Sequence, residues 1–293
     1  MIRNNKNFNQ SLSGAKFSII EKNNKLYFKK IISFKSIHNK KRILNSVFKQ
    51  NFFEISPLPN PFFTIKASSL VKKNKIHIEM PFVHGFSGNE IIMHSQKNNI
   101  NSLINIFSKL IEFFKNSKIE NNNISKYKIE KKIIEIEKIN PNGQYTNAIK
   151  YLERKLSNLD TNVYETLCHG DLTFSNIIIT QGSNFKIDYN NNKILLIDWL
   201  DTYFDSYLQD LAKLKQELLY GWSSRKISVT QKINNLVTGE YIWHKIYNIF
   251  INDENRSLFK IVMILCILRI LPYAKSENDI NWIKEVIEME LKN

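Results

Sequence analysis

The first third of the chain alternates between apolar runs and short polar turns, a pattern typical of paired strands. Two such runs, Lys16–Glu21 and Lys25–Ile32, are separated by a three-residue polar turn and predict a hairpin. In His38–Phe53 the apolar residues recur every three or four positions, which predicts an amphipathic helix. Prolines then interrupt the chain, and the runs Phe62–Leu70 and Lys75–Met80 predict two more strands. We therefore expect a small α+β layer ordered strand–strand–helix–strand–strand.

From about Gly88 onward the periodicity is mainly that of helices, with short strands expected at Ile177–Thr180 and Ile194–Ile197. Segment 118–142 is charged and rich in asparagine, and we expect it to be part helix and part loop. The expected helices span Asn101–Lys115, Gln144–Leu159, Ser206–Tyr220, Leu258–Leu271 and Asn278–Leu291. The change of pattern predicts two lobes, a strand-rich one over residues 1–83 and a larger helical one over residues 84–293.

The composition excludes several classes of protein. The 293 residues can bury a sizeable core, and a hydrophobic fraction of 43% excludes a disordered chain. Two cysteines, Cys168 and Cys266, cannot form a disulfide framework or a thiolate zinc site. The first ten residues lack the apolar segment of a secretory signal, and the longest apolar run, Ile261–Leu268, is far too short to cross a bilayer. We expect a cytoplasmic protein without a membrane partner.

The net charge of +15 raises the possibility of a nucleic-acid partner. The basic residues are dispersed, however, with only short clusters such as Lys40–Arg42 and Lys72-Lys73. Lysine is abundant throughout the chain, which favours a general compositional bias. A solvated basic surface is therefore the preferred interpretation, and nucleic acid is the alternative.

Candidate chemistry is concentrated around two predicted strands. The stretch from His169 to Asn176 leads into the apolar run Ile177–Ile179, and Asp198 follows the next apolar run. Phosphoryl transfer needs a carboxylate near the acceptor hydroxyl and oxygen ligands for Mg²⁺. Asp171 can supply that carboxylate, while Asn176 and Asp198 can supply a neutral and a charged oxygen ligand. The alternative is an ordinary hairpin in which these Asp and Asn residues form turns.

The order of these residues resembles that of the aminoglycoside phosphotransferase and choline kinase group, which has the protein-kinase-like fold. The match consists of His169-Gly170-Asp171 with Asn176 five residues later, followed by Ile197-Asp198-Trp199. It extends to Asp205–Ala212, which is similar to the family's Asp-Leu-Ala helix start. The resemblance implies an α+β fold with a small strand-rich N-terminal lobe and a larger helical C-terminal lobe.

The resemblance also implies roles for single residues. Asp171 would be the catalytic base or the carboxylate that orients the acceptor. Asn176 and Asp198 would hold Mg²⁺, while His169 and Asp210 would support the loop. The implied cofactors are ATP and Mg²⁺, and the implied partners are a nucleotide and a small-molecule acceptor.

The strand Leu26–Lys30 resembles the family's strand with a terminal lysine that contacts the nucleotide phosphates. Alternation places Lys29 and Lys30 on opposite faces, so one of them can point inward. Lys29 is the preferred choice, Lys30 is the alternative, and a solvent-facing lysine is a third interpretation. The preceding segment Ser11–Lys16 stands where a phosphate-covering loop is expected but holds a single glycine.

The segment Met80–Val83 follows a predicted strand and resembles the hinge between kinase lobes. There Met80 and Phe82 would bind the adenine, through backbone groups and apolar side chains. An ordinary strand end is the alternative interpretation of the same residues.

One feature departs from the family pattern. The predicted helix His38–Phe53 contains no acid that can pair with the strand lysine, and Glu54 lies just beyond it. Gln50 offers only a neutral partner.

The expected function is a Mg²⁺-dependent kinase that transfers the ATP γ-phosphoryl group to a hydroxyl of a sugar, amino alcohol or related metabolite. The departure motivates the alternative, a catalytically weak, kinase-like nucleotide-binding protein.

Overall fold

The computed structural model describes residues 14–56, 58–88, 90, 97–123, 126–159, 164–180, 193–224, 229–274 and 276–292. The polar N-terminal segment, the first three residues of the loop Ser11–Lys16 and most of the connection between the two strands near Asp198 lie outside these ranges. Among the described residues, no helix is both long and apolar enough to cross a membrane.

In the N-terminal part of the chain the strands match the prediction with one exception. The single strand expected over Phe62–Leu70 is two short strands, Phe62–Phe63 and Ser68–Lys72, which lie in different sheets. The expected hairpin is present, and Asn23 and Asn24 turn it with positive φ angles of 51° and 59°. The strands are β1 (Lys16–Lys22), β2 (Lys25–Ser33), β3 (Phe62–Phe63), β4 (Ser68–Lys72), β5 (Lys75–Pro81), β6 (Phe86–Ser87), β7 (Lys118–Asn123), β8 (Tyr164–Thr166), β9 (Ile177–Ile179) and β10 (Ile194–Leu196).

The helices include all those that the periodicity predicts. One more, Val229–Phe250, was not predicted. The helices described are α1 (Ile37–Ile55), α2 (Lys97–Asn116), α3 (Lys126–Glu137), α4 (Thr146–Ser157), α5 (Tyr207–Leu218), α6 (Val229–Phe250), α7 (Asp253–Leu268) and α8 (Glu277–Lys292).

The chain divides into two compact units that do not follow a single break in the sequence. The first unit contains residues 1–88 and 175–201, and the second contains 89–174 and 202–293. The two predicted lobes, 1–83 and 84–293, place the break five residues earlier and leave 175–201 with the helical part. Residues 175–201 group with the first unit because β9 and β10 pair with β6 and β3.

The first unit contains two four-stranded sheets. One is antiparallel with the order β1-β2-β5-β4, and the other has the order β3-β10-β9-β6 with a single parallel pair, β3 and β10. Helix α1 packs on β4 and β5. The core of this unit includes Val47 of α1, Ile76, Ile78 and Met80 of β5, and Ile197 just after β10. The apolar residue before Asp198 therefore anchors that aspartate to the core.

The second unit is mainly helical, with the short β7–β8 ribbon as its sheet. Helix α7 is its centre, because ten residues from Leu258 to Leu268 are buried and α5, α4 and α8 pack against it. The whole chain thus combines a small antiparallel-sheet N-terminal region with a helical C-terminal part, as the sequence predicts.

Candidate active site

In the first unit, Lys30 forms an ion pair with Asp198, 168 residues further along the chain. The Lys30 ammonium lies 2.5 and 2.6 Å from the two carboxylate oxygens of Asp198. The lysine side chain is 11% exposed and the aspartate side chain 43% exposed. The ring of Phe17, 5.8 Å from the Lys30 ammonium, covers the lysine from β1. A partly buried pair of this kind places a cation and a carboxylate at one point on the edge of the core.

Lys29 points to the opposite face of β2. It lies directly across from Glu79 in the β2–β5 register, and its ammonium is 3.3 Å from the Glu79 carboxylate. Lys22 contacts the same carboxylate, and its hydrogen bond is the largest of the influences that hold the pKa of Glu79 below its ordinary value. The choice of Lys29 for the phosphates stays a prediction. The geometry favours Lys30, because Lys30 is the one that meets Asp198.

Asp198 has a left-handed backbone conformation, with φ at 61°. This region costs a residue with a side chain roughly 1 kcal/mol, and such strain is often found at functional positions. Helix α1 fixes the segment that follows. The Ser46 hydroxyl accepts the Asp201 N–H at 2.9 Å, and the Lys49 ammonium donates to the carbonyl of Leu200 at 3.2 Å.

Ring stacking also holds the segment after Asp198 against α1. The indole of Trp199 stacks on Phe53 of α1 with ring centroids 4.2 Å apart. Its N–H points to the hydroxyl of Thr64 at 3.3 Å. Trp199 is therefore a core residue, and it holds the backbone next to Asp198.

The acid that kinase-like folds supply from a helix is replaced in this chain. Helix α1 carries a single acid, Glu54, which is exposed. Gln50 is buried and donates to the carbonyl of Ile65 at 2.8 Å. Asp198 provides the carboxylate that pairs with Lys30, so the lysine is held differently from the family pattern.

Asn176 contacts Ile197, the residue before Asp198, in the same unit. Its backbone carbonyl accepts the N–H of Ile197 at 3.1 Å, and the residue is 7% exposed. An amide oxygen and a carboxylate are hard oxygen ligands, a donor set that suits Mg²⁺ with its remaining positions filled by water and phosphate. The residues present therefore fit the expected metal.

In the second unit, Asp171 lies in a tightly braced loop. The fully buried carboxylate of Asp210 accepts the backbone N–H of His169 at 2.7 Å and that of Gly170 at 2.8 Å. The Asp171 N–H donates to Nδ1 of His169 at 3.3 Å. Gly170 has a φ of 86°, a conformation that a residue without a Cβ adopts at little cost. Asp210 and His169 support the loop, as the resemblance implies.

A lysine contacts the Asp171 carboxylate within the same unit. Lys213 of α5, 12% exposed, places its ammonium 3.1 Å from Oδ1 of Asp171. Burial alone raises the pKa of Asp171. The charge and hydrogen bond of Lys213, together with His169 and Arg269, more than offset that effect and hold the pKa below its ordinary value. Asp171 is therefore ionised at neutral pH.

The two residues of the expected adenine site lie where β5 ends. Met80 is 5% exposed and belongs to the core of the first unit. Phe82 is half-buried, and its N–H donates to the carbonyl of Leu26 at 2.9 Å. Its ring meets His84 edge to face, with centroids 4.8 Å apart. These contacts leave the adenine role of both residues as a prediction.

Within the described residues, then, each unit holds one part of the expected chemistry. The first carries Lys30, Asn176 and Asp198, and the second carries Asp171. A family model described as the ecdysteroid kinase-like family matches residues 65–215, just over half of the chain. The chain belongs to the ecdysteroid kinase-like family. This is a kinase-like family of small-molecule phosphotransferases. The matched range contains the Asp171 loop and Asp198, whereas the lysine strand β2 precedes it.

Solved structures with the same fold include aminoglycoside phosphotransferases and a fructosamine kinase by name. One is a thermostable mutant of aminoglycoside phosphotransferase APH(4)-Ia in a ternary complex with ADP and hygromycin B. It has a TM-score of 0.64 at 8% identity, over 95% of this chain and 90% of that chain. Another is a candidate fructosamine-3-kinase from Haemophilus somnus 129PT. It has a TM-score of 0.59 at 12% identity, over 99% of this chain and 92% of that chain. Identities this low show the fold alone, and they confirm the predicted kinase-like fold. A search of curated protein sequences finds no significant match.

Two functional candidates of this ecdysteroid kinase-like chain were not singled out by sequence reasoning. Lys30 was the second choice, because alternation shows that two adjacent lysines diverge but not which one faces the core. Lys213 was missed altogether. Its position three residues after Asp210, one helical turn along α5, is the signal that could have revealed it.

Proposed function

We propose that this protein is a Mg²⁺-dependent kinase that transfers the γ-phosphoryl group of ATP to a hydroxyl group of a small molecule. The observation that carries the proposal is the ion pair between Lys30 and Asp198, which unites the lysine strand with the motif that follows β10. Membership of a family of small-molecule phosphotransferases and relatives solved with ADP or AMP-PNP support the choice of ATP.

Each residue has a distinct role in the proposed reaction. Lys30 steadies the nucleotide phosphates, and Asn176 and Asp198 hold Mg²⁺, which would neutralise charge on the phosphate oxygens when bound. Asp171 orients the acceptor hydroxyl and takes its proton. The acceptor O–H bond breaks, a bond forms between that oxygen and the γ-phosphorus, and the bond from the γ-phosphorus to the bridging oxygen breaks, so that ADP leaves. Most of the rate enhancement comes from positioning and charge stabilisation.

The acceptor class is a neutral or weakly charged hydroxyl compound, such as a sugar or an amino alcohol. A chain with a net charge of +15 does not favour a strongly cationic acceptor. Met80 and Phe82 are the proposed adenine contacts.

A second candidate is a nucleotide-binding protein with little turnover. The observation that favours it is the exposed position of Glu54, the one acid of α1, which leaves Lys30 without a carboxylate from that helix. Lys30 then depends on Asp198, which is also the proposed metal ligand.

Thermal unfolding with and without Mg·ATP tests the nucleotide site. We expect ATP to raise the melting temperature only when Mg²⁺ is present, and Asp198→Asn to weaken the effect. Asparagine is the better substitution because it tolerates the left-handed backbone of Asp198. Asp201→Asn is the matched control, since Asp201 lies three residues later and pairs with Asn45. Stabilisation by ATP that does not depend on Mg²⁺, or that is unchanged in Asp198→Asn, would contradict the proposed metal site.

A further inference from the structure

The contact between Lys213 and Asp171 has no counterpart in the motif by which the sequence was interpreted. Lys213 is nearly buried, and its ammonium lies 3.1 Å from one carboxylate oxygen of Asp171. Burying an ammonium group costs several kcal/mol unless a charged partner compensates. A buried lysine aimed at the proposed catalytic carboxylate therefore needs an explanation.

The surroundings of Asp171 explain why one lysine dominates its electrostatics. The charged or titratable groups that lower the pKa of Asp171 are Lys213 on α5, His169 in its own loop and Arg269 just after α7. Two further groups act on Lys213 or lie next to it, Cys266 of α7 and Glu217 of α5. Lys213 has the largest charge effect on Asp171 and is the nearest hydrogen-bonding cation.

A lysine in this position does two things that phosphoryl transfer requires. It keeps Asp171 anionic, so the carboxylate accepts a hydrogen bond from the acceptor hydroxyl instead of donating one. It also fixes the rotation of the carboxylate by engaging Oδ1. In phosphoryl transfer the protein contributes mainly position and charge, so an oriented anion of low basicity is sufficient.

We propose that Lys213 is a positioning residue for phosphoryl transfer, whose ammonium holds the Asp171 carboxylate ionised and in one orientation towards the acceptor hydroxyl. The inference rests on the proposed function. It also decides between the two roles that the family resemblance leaves to Asp171, since the lysine makes it an orienting carboxylate first and a proton acceptor second.

The test compares Lys213→Met and Lys213→Arg with a matched control on the same helix. Lys215→Met is that control, because Lys215 is 13% exposed and its ammonium lies 2.6 Å from the buried carboxylate of Glu290. It removes a lysine of α5 that is as buried as Lys213 and also pairs with a carboxylate, without touching Asp171. All proteins also carry Glu217→Gln, so that titration of Glu217 does not contribute to the pH profile.

The first measurement is the pH dependence of kcat with Mg·ATP and the first acceptor found in a screen. In the Glu217→Gln parent we expect kcat to stay flat on the acid side until the protein unfolds. In Lys213→Met we expect an acid limb at higher pH and a loss of kcat of about 10- to 100-fold, with KM for ATP little changed. Lys213→Arg keeps the charge and recovers most of the rate, and Lys215→Met keeps the flat profile.

The second measurement does not depend on activity. ¹³C NMR follows the Asp171 carboxyl carbon with pH, and we expect its titration midpoint to rise in Lys213→Met and to stay in place in Lys215→Met. An unchanged midpoint, or a flat acid side of the kcat profile in Lys213→Met, would overturn the inference. If the midpoint rises in Lys213→Met but the parent protein transfers phosphate to no acceptor, the proposed function is overturned. Any positioning role for Lys213 is then overturned with it.

Discussion

At the scale of single residues, two adjacent lysines of β2 have different partners. The pleat turns Lys29 to Glu79 and Lys30 to Asp198. Alternation predicts this divergence from the sequence. It does not predict which face meets the second sheet, because that depends on strands that pair far along the chain.

Replacing Lys30 with methionine should weaken nucleotide binding. A hydrogen bond to a charged group contributes about 1.5–3 kcal/mol, so we expect the affinity for Mg·ATP to fall roughly 10- to 100-fold. Lys29→Met is the control, because its partly exposed pair with Glu79 contributes at most about 1 kcal/mol to stability and nothing to the proposed site. Titration calorimetry measures both affinities. A larger loss in Lys29→Met than in Lys30→Met would return the phosphate role to Lys29.

Glu217 makes the stability of the fold depend on pH. It is 5% exposed, and its Oε1 has no hydrogen-bond partner among the residues that the structure describes. Burial raises its pKa from 4.5 to about 7. Between these two values the folded state keeps a proton that the unfolded state has released, so the free energy of unfolding falls as pH rises. The loss is complete above pH 7 and is roughly 3 kcal/mol.

Glu217→Gln removes this titration and keeps an oxygen to accept the N–H of Ser223. We expect the variant to gain stability relative to the wild type as pH rises from 5 to 8. Urea unfolding at several pH values measures the difference. A difference that does not vary with pH would show that Glu217 is ionised in the folded protein.

At the scale of elements, α1 takes part in the site without supplying its usual acid. Its polar contacts hold residues 200 and 201, and its ring stack holds Trp199. The sequence predicted the helix but placed Glu54 just beyond it, whereas the helix extends to Ile55 and includes this exposed acid. It could not predict that the helix holds the segment after Asp198, because those contacts join residues about 150 positions apart.

Helix α6 shows where hydrophobic periodicity fails. Ile242, Trp243 and Ile246 are buried, whereas Ile233 and Val237 are more than half exposed. Apolar residues therefore occur on both the packed and the solvent-facing sides, and no single face emerges from the sequence. A glycine inside the helix weakens the pattern further.

That glycine, Gly239, sets how closely α6 approaches α5. A Cβ at this position would lie 2.1 Å from the carbonyl oxygen of Leu218, which is backbone and has little freedom to move. We expect Gly239→Ala to destabilise the protein by roughly 1–3 kcal/mol, although alanine favours helices more than glycine does. Glu240→Ala, at the exposed next position, is the control, and chemical denaturation measures both. Equal stability of the two variants would mean that α6 can shift at no cost.

At the scale of the whole molecule, the sequence predicted the kinase-like fold and most of its elements, but not the short strands β6, β7 and β8 or helix α6. Two kinds of signal were sufficient for the fold. The strand–helix pattern is that of a kinase-like fold, and the spacing of Asp171, Asn176 and Asp198 is that of the family motif. The division into units was not predictable in detail. Residues 175–201 group with the N-terminal unit through strand pairing, which no local pattern encodes.

A labelled-transfer assay shows whether the protein transfers phosphate from ATP to a small hydroxyl compound. Wild-type protein and Asp171→Asn are incubated with Mg²⁺, γ-³²P-labelled ATP and a panel of sugars, amino alcohols and related metabolites. We expect a labelled organic product with the wild type. With Asp171→Asn we expect a rate about 10²- to 10⁴-fold lower and an unchanged affinity for ATP. Wild-type protein that binds Mg·ATP but labels no acceptor, or Asp171→Asn that labels the product at the wild-type rate, would contradict the proposed function.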